Sequence, residues 1–80
     1  MIEAIFFGPV AERAGVRRVS LDFREGICWQ DVRDTLRARL PEAFAIVSIV
    51  AVNGRRVGEQ DTTPLADGAE IVFMSAFSGG

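Results

Sequence analysis

Few residues in this chain could take part in a reaction. It has no histidine, tyrosine or lysine, and Cys28 is its single cysteine. Cys28 falls where a helix N-cap belongs. That position lowers a thiol pKa, but no histidine is present to pair with it, so a small filler at a helix start is the better reading. Asp31, Asp34 and Glu42 make no acid–base pair and read as a solvated face. One cysteine without histidine leaves no zinc site, and an iron–sulfur cluster needs about four cysteines. Neither a G-x-G-x-x-G nor a P-loop pattern is present to cradle a nucleotide.

The remaining chemical asset is the carboxyl of Gly80, at the end of "FSGG". A carboxylate can be activated as an acyl adenylate and then attacked by a nucleophile. Gly79 and Gly80 lack a Cβ, so they can thread a channel too narrow for other residues. Phe77 is the candidate anchor in a partner's channel, and Ser78 is a spacer with no assigned role. The reacting group is then carried on an arm, residues 75–80, and a partner supplies the catalysis. Six extended residues reach roughly 20 Å. All nine basic residues are arginine, so no side-chain amine of the chain could itself attack an activated carboxyl.

The arm must be held by residues 1–74, which read as one domain. "IEAIFF" (Ile2 to Phe7) is β-branched and aromatic and is bounded by Gly8-Pro9, so it predicts a strand. "VAERAG" predicts a loop or short turn closing at Gly15. "RRVSLDF" alternates strictly, with Val19, Leu21 and Phe23 on one side, and predicts the second arm of a hairpin. Trp29, Val32, Leu36 and Leu40 recur at steps of three and four, which predicts a helix ended by Pro41. Cys28 at its N-cap is a weak cap, because sulfur is a poor substitute for a hydroxyl oxygen. "VSIVAVNGRRV" predicts a hairpin turning at Asn53-Gly54. A turn at Asp67-Gly68 leads into a last strand, Glu70 to Met74. The order β-β-α-β-β-β is an α+β layout: a small mixed sheet on one main helix.

Alternation also divides the strands into faces. Ile2, Ala4 and Phe6 share one side of the first strand; Glu3, Ile5 and Phe7 share the other. In the last strand Ile71 and Phe73 oppose Glu70, Val72 and Met74. The sides carrying glutamate are the solvent sides. If these two strands are neighbours, Ile5, Phe7, Val72 and Met74 form an apolar patch facing away from the helix, and such a patch marks a partner site. The alternative is that a loop covers it.

Composition narrows the class. Hydrophobic residues are 49% and charged residues 25%, which fits a globular domain rather than a disordered segment. A formal charge of -2 argues against non-specific nucleic-acid binding. There is no apolar run of about 18 residues, and "MIEAIFFG" lacks the basic start of a signal peptide. Cysteine usage fits reducing, cytoplasmic conditions.

Three stretches resemble a known family. "IEAIFFGPVAERAG", with Phe7, Glu12 and Gly15, "IVAVNGRRV", and "PLADGAEIVFMSAFSGG" are together similar to the small subunits of molybdopterin synthase. These lie in the ubiquitin-like, β-grasp sulfur-carrier superfamily. The resemblance covers essentially the whole chain. It implies that an E1-like adenylating enzyme, using ATP and Mg²⁺, activates the Gly80 carboxyl. A sulfur donor then converts it to a thiocarboxylate. The tail enters the synthase large subunit and gives sulfur to a pterin precursor. It also implies that the face of Phe7 and Met74 docks the partners, and that the chain binds no cofactor itself and is not catalytic alone. There are departures. Ala69 follows the Asp-Gly turn where an aspartate is usual, Ala11 precedes Glu12 where an arginine is usual, and Ser75-Ala76 stand in place of a Pro-Pro pair. They leave the acceptor open between molybdopterin, thiazole, tRNA thiolation and cysteine synthesis. A ubiquitin-like binding or conjugation module without sulfur chemistry is the alternative of another class.

Overall fold

In a computed structural model, residues 1–76 are described. Five strands form one mixed sheet: β1 (Ile2–Phe6), β2 (Arg18–Leu21), β3 (Ile49–Val52), β4 (Arg55–Val57) and β5 (Glu70–Met74). Their spatial order is β2-β1-β5-β3-β4. The two central strands, β1 and β5, run parallel, and every other pairing is antiparallel. The principal helix, α2 (Trp29–Arg39), buries Trp29, Val32 and Leu36. This is the α+β layout that the element order predicts, in the β-grasp arrangement that the resemblance implies.

The helical periodicity and the strand alternation meet in one core. Ile2, Ala4 and Phe6 of β1 and Ile71 and Phe73 of β5 are buried together with the apolar stripe of α2. Three phenylalanines form its centre: Phe44 stands edge-on to Phe6 at 6.0 Å and to Phe73 at 4.9 Å between ring centroids. Such edge contacts add about 0.5–1.5 kcal/mol each to the burial itself.

Two helices lie outside the sequence expectation. "VAERAG" is not a loop: α1 spans Gly8–Ala14. Pro9 is suited to a helix's first turn, Val10 is fully buried, and Gly15 closes the helix in the left-handed region with φ 74, its N–H bonding Ala11 O. The first strand therefore stops at Phe6, and Phe7 is the N-cap of α1. Pro41 does end α2, but it also starts a single turn, α3 (Pro41–Phe44), which places Phe44 in the core.

The other elements follow the pattern. Asn53 and Gly54 have φ 49 and 82, the two positive values of a type I′ turn. Cys28 is the N-cap of α2, and Asp31 compensates for its poor sulfur. The Asp31 carboxylate accepts from the Cys28 N–H at 2.9 Å and from its thiol at 3.1 Å. These bonds, the backbone one foremost, with Arg24 nearby, hold the Asp31 pKa below its ordinary value. The long connection after β4 is pinned to α2. Trp29 Nε1 donates to Gly58 O, and Gln30 Nε2 donates to the carbonyls of Glu59 and Asp61.

Candidate functional site

Because β1 and β5 are parallel neighbours, Ile5 and Val72 are register partners, and Phe6 pairs with Phe73. Phe6 and Phe73 point into the core. Ile5 and Val72 therefore project from the opposite side of the sheet, away from α2, as the alternation predicts. Met74 shares the parity of Val72 and pairs with Ile49 of β3. Ile5, Val72 and Met74 are half-buried, whereas Phe7 is 55% exposed. Phe7 lies where β1 gives way to α1, and its N–H reaches Phe73 O at 3.4 Å. Beside it an open groove of about 700 Å³ has Ile5, Phe7, Glu12, Val16, Arg17 and Arg18 among its lining residues.

The parallel pairing also decides where β5 leads. Its last residue, Met74, lies at the same end of the sheet as Phe7, one position past the Phe6–Phe73 pair. Ser48 N–H donates to Met74 O at 2.9 Å, and Ala76 N–H donates to Ser48 Oγ at 2.7 Å. The first residues after β5 are thus held against the start of β3. Phe77, Gly79 and Gly80 lie outside the described residues.

The rest of the described surface offers little chemistry. No group of three or more Cys, Asp or Glu side chains could hold a metal among the described residues. Cys28 is half-buried, and its thiol donates to Asp31, a structural role rather than that of an activated nucleophile. Asp34 pairs with Arg33 and Arg37, and Arg33 also pairs with Glu59. These charges brace the helix and the loop that follows β4. No helix among the described residues is long and apolar enough to cross a membrane.

The ThiS family profile matches residues 4–80. The chain belongs to the ThiS family. Solved structures agree on the fold of this ThiS-family chain. SAMP1 from Haloferax volcanii aligns with a TM-score of 0.80 and 26% identity, covering 99% of this chain and 98% of that one. A chain from the complex of subunits 1 and 2 of the molybdopterin-converting factor of Helicobacter pylori aligns with a TM-score of 0.69 and 25% identity, covering 99% and 97%. The small archaeal modifier protein 1 of Methanosarcina acetivorans aligns with a TM-score of 0.74 at 21% identity, covering 99% and 95%, and shows the fold alone. Among curated protein sequences none matches significantly. The ThiS-family chain is thus a ubiquitin-like, sulfur-carrier-type β-grasp domain.

The sequence pattern missed Ile49, Ala51 and Ser48 as members of this face and its margin. The outward parity of Ile49 and Ala51 was legible, but only the β3–β5 pairing places them beside Met74 and Val72; Ser48 has the inward parity of Val50 and reaches the margin through its bonds to Met74 O and Ala76 N–H.

Proposed function

We propose that this chain is a sulfur carrier whose Gly80 carboxyl is the reacting group, and that it serves as the small subunit of a molybdopterin synthase. One observation carries the reading: the family match runs through Gly80, in a chain whose described residues hold no other activated group. An E1-like enzyme would join the Gly80 carboxylate to AMP from ATP, with Mg²⁺, releasing pyrophosphate. A sulfur donor would then displace AMP and leave a thiocarboxylate. Gly79 gives clearance in the partner's channel, and Phe77 anchors the arm there. Ile5, Phe7, Val72 and Met74 are the docking face. The tie between Ala76 and Ser48 limits the arm's reach. The four residues beyond it span at most about 14 Å when extended, rather than roughly 20 Å for six.

The molybdopterin assignment is supported by the likeness to a chain in a complex of subunits 1 and 2 of a molybdopterin-converting factor. By the same likeness a large subunit is the partner. The use of ATP and the single cysteine support a cytoplasmic setting for such a carrier.

The experiment is an intact-mass measurement after incubation with the cognate adenylating enzyme, ATP, Mg²⁺ and a sulfur donor. The expected change is one oxygen exchanged for sulfur. Deleting Gly80, or adding a residue after it, abolishes the change. An unaltered mass with an enzyme that is active in pyrophosphate exchange overturns the reading. Thiocarboxylate that forms but yields no dithiolene with the large subunit and pterin precursor redirects the sulfur to another acceptor.

A second reading has its own support in the likeness to SAMP1, an archaeal modifier protein. In it, Gly80 would be joined to a protein amine. With no lysine in its sequence, the chain would offer no lysine side chain for a second copy, so conjugates would carry single, unbranched units. Recovered Gly80–lysine isopeptides on target proteins would establish it.

A further inference from the structure

The apolar face is bounded by arginine on both sides. Ile5 is in register with Arg18 of β2 and with Val72 of β5. Val72 is in register with Ala51 of β3, and Ala51 with Arg56 of β4. One row across the whole sheet therefore reads Arg18, Ile5, Val72, Ala51, Arg56, and all five side chains share the face away from α2. Four interstrand steps of about 4.8 Å separate the two arginines, so their backbones stand roughly 19 Å apart.

Neither of these two arginines makes an ion pair among the described residues; Arg13, Arg17, Arg39 and Arg55 make none either, but they stand outside the row. Arg33, Arg37 and Arg24 each pair with a carboxylate, and Arg13 donates to Glu42 O. Arg18 and Arg56 are exposed and pair with no carboxylate among the described residues. Scarcity does not explain this, because acidic residues outnumber basic ones, 11 to 9. The next row of the same face has the opposite sign. Glu3 and Glu70 are register partners, and Ser20 Oγ donates to Glu3. Along the strands the face thus runs from an acidic end, through the arginine-bounded apolar row, to Phe7 and Met74.

We propose that Arg18 and Arg56 are a two-pronged electrostatic clamp for a protein partner whose apolar docking patch is flanked by carboxylates roughly 19 Å apart. The clamp rests on the docking role given above to Ile5, Phe7, Val72 and Met74. It steers association, because a carboxylate-flanked patch is drawn to the arginine row before apolar contact forms. It also fixes register along the strands. A partner displaced by two residues toward the start of β1 would take its carboxylates off the arginines, to Ser20 and the Asn53-Gly54 turn, and would set its apolar patch against the carboxylates of Glu3 and Glu70, whose desolvation is costly. The aligned position is the one that puts the partner beside Met74, where β5 ends.

The test measures association and dissociation rates with the cognate adenylating enzyme at low and high ionic strength. It compares the native chain, the charge-reversed Arg18→Glu/Arg56→Glu pair, the neutral Arg18→Gln/Arg56→Gln pair, and Phe7→Asp. At low salt the reversed pair associates at least about tenfold more slowly than the native chain, and the neutral pair falls between them. At about 0.5 M salt the three rates converge, because the Debye length is then only about 4 Å. Dissociation changes little. A reversed pair that associates at the native rate overturns the clamp, as does a loss that salt leaves untouched. The neutral pair keeps the test readable if reversal disturbs folding. Phe7→Asp separates the two levels of the argument. Native binding by that variant defeats the docking face itself; lost binding there beside unchanged rates for the arginine pairs defeats the clamp alone.

Discussion

Replacing Phe7 with aspartate separates docking from folding, and the structure gives the size of each effect. Phe7 is 55% exposed, so a little under half of its surface is withdrawn from water. Full burial of such a side chain contributes at most about 3 kcal/mol, and Phe7 accordingly contributes about 1 kcal/mol to the fold. The same residue is the N-cap of α1 and makes no side-chain capping bond. Aspartate is among the best N-caps, and its carboxylate would return about 0.5–1 kcal/mol. The two terms nearly cancel. For a domain of this size a residual of about 0.5 kcal/mol moves Tm by only about 2–4 °C. In the complex nothing offsets the change. A buried aromatic anchor is worth about 2 kcal/mol or more, and a carboxylate set against an apolar patch adds its desolvation cost. Affinity for the adenylating enzyme should fall at least about thirtyfold. Thermal unfolding followed by circular dichroism, beside equilibrium binding, reads both quantities on one sample. A Tm loss above about 10 °C would show Phe7 to be a core residue. Unchanged affinity with an intact fold would show that the face docks nothing.

Two further outcomes bear on the fold that carries the site. Phe73→Ala empties the centre of the aromatic cluster and should cost about 3–5 kcal/mol in urea unfolding; a loss below about 2 kcal/mol would mean that Phe6 and Phe44 collapse into the space. Asp31→Ala removes the acceptor that caps α2. The site is partly open to solvent, so the cost at neutral pH sits near the low end for caps, about 0.5 kcal/mol. Folding depresses the Asp31 pKa, so its stabilisation is complete above the unfolded value and is lost as pH falls through the lower folded one. The gap between native and variant stability should therefore shrink below about pH 4, and a gap that widened on acidification would contradict the assignment.

Most of the strand framework was legible because the sheet has a buried side and an outward side. The parity of Ile2, Ala4 and Phe6 against Glu3 and Ile5, and the Asn53-Gly54 turn, are local signals, and each is realised. The missed elements share a cause. Gly8-Pro9 and Pro41 read as terminators, yet proline also suits a helix's first turn. In both places the chain restarts as a helix of one or two turns whose stability comes from tertiary burial, of Val10 in α1 and of Phe44 in α3. Such short segments have no periodicity to detect. Of the site, alternation put Ile5 on the outward side of β1 and Val72 and Met74 on the outward side of β5, and the β1–β5 pairing joins them into one face. Their arginine borders were not, because a strand's sequence does not state which strand lies beside it. Arg18 and Arg56 are far apart in the chain and are joined into one row only through the registers of β1, β5 and β3.

The parallel pairing of β1 and β5 is the feature that turns this fold into a carrier. An antiparallel β5 would end beside Ile2, and the segment after it would leave from the acidic end of the face, next to Glu3. With the observed pairing, β1 and β5 finish together, so Phe7 and Met74 share one end of the sheet. Ser48 then fastens Ala76 there. On the proposed reading, a partner that docks on the outward face finds the chain's exit point at Ala76 held in a fixed place beside it. On that reading, docking energy from Ile5, Val72 and Phe7 would be converted into positioning of the Gly80 carboxyl for the partner's catalytic groups. On this logic a change that loosens the Ser48–Ala76 tie, such as Ser48→Ala, should leave partner affinity near native. It should slow adenylation under saturating carrier, because it acts on the aim of the arm rather than on the face. An affinity loss with an unchanged saturated rate would place Ser48 in the interface and refute that division of labour.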